Sequence, residues 1–318
     1  MTSAFHFDTL VWDWPIAIYL LLVGISSGMV ILAIFLKGKI AGIDPARDSV
    51  IIATTIISPL SVIVGLGILI FHLTKPLTFW YLMVFYNVSS IMSLGVVLFQ
   101  VYMLVLIVWI ANIYHNRLKA FLSPTHSTIF IKLNAVLDFL VRCQSGIEKS
   151  LFILAVALGC YTGFLLSALK SYPLLNNPVL PLLFLVSGVT SGVIMIMLYC
   201  SLTNKRFEYT ASLHFIHKLE RPLIYLEALL LCSFFVGLIL GGGQKTVAAM
   251  NTLNGFWGGV FWSCVVGLGI ILPLLSNRVF SENIKQNRKY VVLMAAVGLF
   301  SVFSLRIFIL YAGQMTVA

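Results

Sequence analysis

Eight long apolar stretches dominate the sequence and decide what it can fold into. Each spans about 20 residues or more, the length that a helix needs to cross the hydrocarbon core of a bilayer. Transmembrane strands would be about ten residues long with alternating polarity, and none of these stretches alternates. The sequence therefore predicts an all-α integral membrane protein with eight transmembrane helices, at residues 15–36, 50–73, 89–113, 150–169, 179–201, 222–241, 254–276 and 290–312.

The composition excludes a water-soluble fold. Charged residues make up 9% of the 318 residues and hydrophobic residues 60%, whereas soluble domains carry about 25% charged residues. The longest connection, about 114–149, has room only for a short interfacial helix. We therefore treat residues 1–318 as one polytopic membrane domain. A division into two four-helix bundles near 170–178 is suggested by Pro173 and Pro178, which interrupt the apolar pattern.

The distribution of Lys and Arg predicts the orientation. Of the 20 Lys and Arg residues, 16 lie in the loops after helices 1, 3, 5 and 7, and three lie in the other loops (Lys75, Lys170 and Lys245). Cytoplasmic loops collect Lys and Arg. We therefore expect both termini to be periplasmic. The formal net charge of +10 reflects these loops and does not indicate nucleic-acid binding.

Motifs for the common redox and nucleotide cofactors are missing from the sequence. A membrane haem b is usually held by two inward-facing histidines, and His72 is the only one of six histidines near membrane depth. The five cysteines are scattered and form no CxxC pair, which argues against an iron–sulfur cluster. The glycine run at 241–243 lacks the Lys-Ser/Thr of a phosphate-binding loop. We expect no haem or iron–sulfur cluster in this protein.

Polar side chains at membrane depth are the candidate functional residues, because such groups are costly in a bilayer. Tyr19, His72, Tyr161 and Arg306 fall in the predicted outer half of helices 1, 2, 4 and 8. Together they would supply hydrogen-bond donors and acceptors to a lipid-soluble ring. Each residue also has an ordinary interpretation, since His72 could be an interfacial helix end and Tyr161 could serve packing alone.

Two further groups are candidates for proton transfer and for partner docking. Glu227 and Glu148 fall in the predicted inner half, where they could form a proton path, although Glu148 also suits a solvated helix start. Trp12, Asp13 and Trp80 lie at the predicted outer ends, among other aromatic residues. An interfacial aromatic belt explains such residues, and a surface that docks a partner is the other interpretation.

Four segments resemble a known family along essentially the whole sequence. They are Val11–Leu20, Phe71–Pro76 followed by Phe79-Trp80, Tyr161–Ala168 and Arg306–Gln314. Their residues resemble the membrane subunits of the NrfD and polysulfide reductase family. The length and the eight predicted helices are similar as well.

The resemblance implies a subunit of the bacterial inner membrane that oxidises menaquinol or ubiquinol without a haem. It also implies that electrons pass to a periplasmic ferredoxin-like iron–sulfur subunit, and on to c-type cytochromes for the reduction of nitrite to ammonia. In polysulfide reductase the quinone pocket uses a tyrosine that corresponds to Tyr161. An asparagine and a histidine of that pocket correspond to Ile16 and Tyr19 here, so the partners of the quinone carbonyls do not carry over. Residue type and depth then favour His72 and Tyr19.

Two other classes of function remain open from the sequence. A secondary transporter of a proton or small solute could use Glu227, Glu148 and Arg306, but the paired broken helices of many transporters are missing. A structural membrane anchor for a periplasmic complex is the third possibility. Purification with bound quinone would separate quinol oxidation from both.

Overall fold

A computed structural model describes residues 5, 7, 9–40, 44–73, 75–87, 89–122, 128–203, 210–285 and 287–316. Within these ranges only the backbone is described at residues 121, 122, 128–133, 282 and 283. Eight helices in them are long and apolar enough to cross a membrane, which confirms the predicted fold class. They are α1 Trp14–Lys39, α2 Ser49–Phe71, α3 Ile91–Ile113, α4 Gln144–Ser167, α5 Leu180–Thr203, α6 Ala211–Leu240, α7 Gly255–Val279 and α8 Arg288–Gln314.

Local sequence signals set several of the helix starts. The Asp48 carboxylate accepts hydrogen bonds from the backbone N–H groups of Val50 and Ile51, which caps α2. Ser90, Thr210 and Asn287 cap α3, α6 and α8 in the same way. These side chains satisfy amide groups that the first helical turn leaves without a partner.

Two helices begin earlier than the apolar pattern predicts. α6 starts at residue 211 instead of 222, so Pro222 lies inside the helix. α4 starts at residue 144 instead of 150 and includes Glu148. In both cases the extra turns contain polar or charged residues that interrupt the apolar stretch, so a prediction based on continuous hydropathy does not count them.

The segments that connect the membrane-spanning helices contain more helices than the sequence predicts. The long connection between α3 and α4 contains two helices, His115–Leu122 and Thr128–Arg142, where one short interfacial helix was expected. A further helix, Gly243–Leu253, lies between α6 and α7. Gly242 and Gly243 adopt φ angles of 66° and 55° at its start, which glycine does readily.

Helices α1 and α5 form the centre of the bundle. α1 packs against α2, α4 and α5, while α5 packs against α6 and α8 as well as α1 and α4. The outer helices α3 and α7 pack mainly on α4 and α8. The protein therefore consists of two four-helix groups, α1–α4 and α5–α8. Within each group the equivalent helices pack in the same pairs, and the sequence break near 170–178 suggested this division.

Glycines allow the two central helices to approach closely. A Cβ atom placed on Gly24 would lie 3.3 Å from the Cα of Gly188. One placed on Gly192 would lie 2.6 Å from the carbonyl carbon of Gly28. Both helices carry two glycines four residues apart, the spacing that favours close helix pairs in membranes. The contact holds the two halves of the protein together.

For clarity we name the two ends of the bundle. The end at which α1 begins and α8 finishes is the terminal face, and α2 ends and α3 begins there too. The opposite end, which holds most of the Lys and Arg residues, is the basic face.

Candidate functional site

Three aromatic rings meet in the half of α1–α4 next to the terminal face. The ring centroids of Tyr19 and Phe99 are 6.1 Å apart, and those of Phe99 and Tyr161 are 6.0 Å apart. The second pair is edge-to-face, with an interplanar angle of 89°. Tyr19 and Tyr161 are both buried. The structure thus brings together two of the four predicted ring-binding residues, on either side of Phe99.

One glycine gives Tyr161 its space. A methyl group on Gly95 of α3 would overlap the ring of Tyr161, so the phenol lies directly against the α3 backbone. A Cβ atom on Gly65 of α2 would lie 3.6 Å from Cδ2 of Tyr19, an ordinary van der Waals distance. The close packing of the Tyr161 ring between α3 and α4 therefore requires a glycine at position 95, whereas α2 contacts Tyr19 without such a requirement.

The two tyrosine hydroxyls have no hydrogen-bond partner among the described residues. Tyr102 in the same bundle is different, since its hydroxyl lies 2.9 Å from Oγ of Ser26. Buried phenols normally find a partner. The Tyr19 and Tyr161 hydroxyls are therefore free to bind a polar group of a ligand, whereas Tyr102 serves the packing of α1 against α3.

His72 lies at the end of α2 on the terminal face and is exposed. It follows Gly65 by seven residues, which places it about 10 Å farther along the helix axis. Its imidazole makes no hydrogen bond or ion pair within the described part of the protein. The residue therefore lies nearer the terminal face than the ring cluster does.

Arg306 lies in a separate polar centre in the α5–α8 half. It is completely buried, with its guanidinium 3.8 Å from the ring centroid of Phe184 and 3.2 Å from that residue's carbonyl oxygen. The carboxyl of Glu227 faces this arginine and the hydroxyls of Ser187 and Thr190. The guanidinium nitrogens Nε and Nη1 of Arg306 lack a hydrogen-bond partner among the described residues.

The polar centre is thus distinct from the aromatic cluster. Arg306 approaches α1 at Gly24, where a Cβ atom would lie 3.6 Å from Nη2. Gly24 lies five residues after Tyr19, about 7.5 Å deeper along the helix axis. The sequence grouped Arg306 with the ring-binding residues by depth, while its contacts in the structure group it with Glu227.

Two neighbouring cavities extend from Glu227 toward the basic face. The first has a volume of about 40 Å³ and is lined by Thr190, Glu220, Glu227 and Ser301, among apolar side chains. The second, of about 50 Å³, shares Glu220 with the first and is also lined by Lys285. Cavities of this size can hold water where polar groups line them. The two cavities share Glu220 as a lining residue, and the second lies nearer the basic face.

Glu148 lies at the basic face of the other half. Its carboxylate forms an ion pair with Lys37 at the end of α1 and accepts a hydrogen bond of 3.1 Å from Gln144. The structure therefore does not bring Glu148 and Glu227 together. The contacts of Glu148 connect α1 to α4.

The residues before α1 are held across the end of α8. Gln314 accepts hydrogen bonds from the backbone N–H groups of Val11 and Trp12 and donates one back to the carbonyl of Trp12. Asp13 precedes the first turn of α1, and its side chain makes no capping hydrogen bond. Trp12 and Asp13 thus have fixed positions on the terminal face.

Comparison with known proteins decides the family. The family model described as "Polysulphide reductase, NrfD" matches residues 2–318. The protein is 48% identical to "Protein NrfD homolog" of Haemophilus influenzae over 99% of its own length and 98% of that relative. It is 46% identical to "Protein NrfD" of Escherichia coli over 100% and 99% of the two sequences. It is 38% identical to the C subunit of polysulfide reductase from Wolinella succinogenes over 97% and 96%. The protein belongs to the NrfD family.

Membership of the NrfD family confirms the resemblance inferred from the sequence. Together with the eight apolar helices, it identifies a multi-pass protein of the bacterial inner membrane. The NrfD-named relatives and the polysulfide reductase subunit support a membrane subunit of a redox complex. Among the described residues, no group of three or more His, Cys, Asp or Glu side chains is arranged to hold a metal ion.

This NrfD-family protein presents an aromatic surface on its terminal face. A short helix, Phe79–Val84, follows His72 and leaves Trp80 and Tyr81 more than half exposed. Their rings are 6.0 Å apart, and the ring of Phe85 stacks on Tyr81 at 4.3 Å. Trp80 is therefore available for contact with lipid or with a partner protein. This exposure fits both interpretations made from the sequence, an aromatic belt at the membrane interface and a surface that docks a partner.

Several functional neighbours escaped the sequence reasoning. Phe99 and Gly95 are ordinary residues of an apolar helix, and only the packing of α3 against α4 shows that both contact Tyr161. Ser187 and Thr190 form the surroundings of Glu227. A partial indication of Ser187 and Thr190 was present in the sequence, because hydroxyl residues within an apolar stretch often lie at a contact between helices.

Proposed function

We propose that this protein oxidises quinol at the aromatic cluster and passes the electrons to a periplasmic iron–sulfur subunit. In the full reaction they continue to c-type cytochromes for the reduction of nitrite to ammonia. The observation that carries the proposal is the pair of buried tyrosines, Tyr19 and Tyr161, whose hydroxyls are unpaired beside Phe99. A family that includes a polysulfide reductase subunit supports the redox role.

The chemistry of quinol oxidation fits these side chains. Oxidation of quinol removes two protons and two electrons, so the pocket needs a neutral hydrogen-bond partner and a proton acceptor. The phenols of Tyr19 and Tyr161 can bond to the quinol oxygens while staying protonated at neutral pH. His72 can accept a proton on the side nearer the terminal face, because the protonation of histidine changes near neutral pH. Protons then leave at the terminal face.

The position of the cluster suits electron transfer to a partner at the terminal face. We place the docking of the iron–sulfur subunit on Trp12, Asp13 and the exposed Trp80. Large aromatic side chains are frequent anchors in protein interfaces. The quinol ring would lie beneath this surface, which keeps the path for electrons short.

The first prediction concerns orientation. From the excess of Lys and Arg at the basic face we expect that face in the cytoplasm and the terminal face in the periplasm. Reporter fusions after residues 120 and 210 are expected to show a cytoplasmic location, and one at residue 318 a periplasmic location. A cytoplasmic C-terminus would reverse the assignment and move the docking surface to the wrong side.

The second prediction tests quinol oxidation itself. The purified iron–sulfur partner is expected to be reduced by quinol only when this subunit is present, and the subunit is expected to purify with quinone. Tyr161→Phe should slow this reaction about two- to tenfold, because it removes one neutral hydrogen bond, a net contribution of about 0.5–1.5 kcal/mol.

The exposed Tyr225 offers a matched control. Tyr225→Phe removes the same hydroxyl from α6, in the other half of the protein, and should leave the rate unchanged. Equal rates for Tyr161→Phe and the unmodified protein would show that the Tyr161 hydroxyl does not bind the quinol. A protein that never contains quinone and does not support electron transfer would instead be a transporter or an anchor.

We further propose that Glu227 carries protons from the basic face into the protein when quinol oxidation is coupled to proton transport across the membrane. Its support is the pair of neighbouring cavities, of which the first is lined by Glu227 and Glu220 and the second by Glu220 and Lys285. Arg306 would stabilise the carboxylate each time the proton leaves, since the two groups attract each other when both are charged. Glu148 is the second candidate, at the basic face of the α1–α4 half, although its ion pair with Lys37 favours a role in joining helices.

The third prediction separates these two carboxylates. Quinol oxidation itself releases protons and takes up none, so proton uptake at the basic face during turnover would be transport across the membrane coupled to it. In proteoliposomes, Glu227→Gln should abolish this coupled transport, because glutamine cannot carry a proton. Quinol turnover should be much less affected. Glu148→Gln should leave proton uptake intact. If Glu227→Gln changes neither turnover nor proton movement, all protons are released at the terminal face and Glu227 is structural.

A further inference from the structure

A large pocket opens on the basic face, remote from the aromatic cluster. It has a volume of about 550 Å³ and lies between the end of α1, the connection from α1 to α2 and the end of α3. Its polar walls come mainly from Lys37, Asp44, Arg47, Asn112, His115 and Arg117. None of these residues takes part in the proposed quinol or proton chemistry.

The walls of the pocket carry a net positive charge. Lys37 is paired with Glu148, and Arg47 lies 3.4 Å from Asp44 in a pair whose side chains are 83% and 57% exposed. Such an exposed pair is weak. Arg117 lies over the ring of Tyr114 at 5.6 Å and has no ion pair among the described residues. The pocket therefore has cationic groups available for an anion.

The neighbouring helix indicates that the pocket lies at the level of the lipid headgroups. Helix Thr128–Arg142 is amphipathic and leaves Val136 and Phe139 more than half exposed. Helices of this type lie in the membrane interface with the apolar side toward the acyl chains. The side chain of Asn112, a wall residue, donates a hydrogen bond of 3.4 Å to the carbonyl of Leu140 in this helix.

An apolar surface continues from the pocket toward the membrane centre. Tyr114 lines the pocket, and its hydroxyl lies 3.1 Å from Oγ1 of Thr55 in α2. α2 and α3 have few further contacts with each other. Beyond this junction both helices expose aliphatic side chains, at Ile56, Leu60 and Ile63 of α2 and at Leu104 and Ile107 of α3.

We propose that this pocket binds the phosphate headgroup of an anionic phospholipid, whose acyl chains lie along α2 and α3. A phosphate group accepts charge-assisted hydrogen bonds from arginine and lysine. Basic pockets between transmembrane helices on the cytoplasmic side are suited to such headgroups. The adjoining aliphatic surface favours a lipid over a free phosphate ion, which has no apolar part. This proposal is independent of quinol oxidation.

Lipid binding to the full-length protein in detergent tests the proposal. Native mass spectrometry would compare the binding of phosphatidylglycerol with that of phosphatidylcholine. In a separate experiment, thermal unfolding would measure whether sodium phosphate without lipid stabilises the protein. The unmodified protein should retain phosphatidylglycerol in clear preference. Arg117→Gln should weaken its binding about fivefold, the effect of one basic residue at an anionic surface. Arg117 is exposed, so the variant should still fold.

Arg278→Gln is the matched control, because Arg278 is an exposed arginine at the end of α7 outside the pocket. It should bind phosphatidylglycerol as the unmodified protein does. An equal loss of phosphatidylglycerol binding in both variants would mean that the lipid responds to the general positive charge of the surface and does not bind at this pocket. Equal binding of the two lipids would also overturn the proposal. Equal stabilisation by sodium phosphate alone would overturn it too, because the ligand would then be a free anion.

Discussion

Replacing His72 by alanine is expected to lower quinol-dependent electron transfer by about 10²-fold or more. A positioned side chain that accepts a proton in the transition state contributes roughly this factor. His72 is the histidine at the end of α2 on the terminal face, the face nearest the proposed quinol site at Tyr19 and Tyr161. In the proposed orientation, protons released there reach the periplasm directly, so loss of the imidazole should affect the chemical step.

The exposure of His72 makes a sharp control possible. An imidazole added to the medium can reach the site of an exposed histidine, so it should restore part of the activity of His72→Ala. His214 is also exposed but lies on the basic face in α6, and His214→Ala should leave the rate unchanged. Activity of His72→Ala within twofold of the unmodified protein, with the partner still bound, would exclude His72 as the proton acceptor.

The replacement Gly28→Ala should destabilise the whole protein. A Cβ atom on Gly28 would overlap the carbonyl group of Gly188 and lie 2.9 Å from the Cα of Val189. The overlapping atoms belong to the α5 backbone, so relief requires α1 and α5 to move apart. Overpacking of this kind costs about 1–3 kcal/mol and occasionally more. We expect a reduced yield of inserted protein and a lower unfolding temperature in detergent.

A glycine in open space provides the comparison. Gly67 of α2 has no atom within 4 Å of a Cβ placed on it. Gly67→Ala should therefore be neutral or slightly stabilising, because alanine has the higher helix propensity. Similar unfolding temperatures for Gly28→Ala and Gly67→Ala would show that the central contact adjusts to a methyl group at little cost.

The two halves of the protein have different chemical character. The α1–α4 half contains the aromatic cluster and the basic pocket, whereas the α5–α8 half contains Arg306, Glu227 and the cavities beside them. They meet along α1 and α5, where Gly24 adjoins both Gly188 and Arg306. The position of Arg306 therefore depends on the close approach of these two central helices.

The sequence by itself determined the class of protein and the membrane helices. A stretch of about 20 apolar residues is long enough to span the bilayer, and this requirement depends on composition within one segment. All eight predicted helices are therefore present. Their polar ends in α4 and α6 were missed because those turns extend past the apolar stretch. The resemblance to the NrfD family was likewise carried by local segments.

Only the tertiary structure decided which polar residues meet. Depth along a helix follows from the sequence, so Tyr19, Tyr161 and Arg306 were all expected near one another. The side of the helix that each residue occupies, and the neighbour across from it, depend on how the helices pack. The packing of α5 against α6 and α8 places Arg306 beside Phe184 and Glu227, and the packing of α4 against α3 places Tyr161 against Gly95. Such contacts join residues far apart in the sequence, and close packing of small residues fixes them.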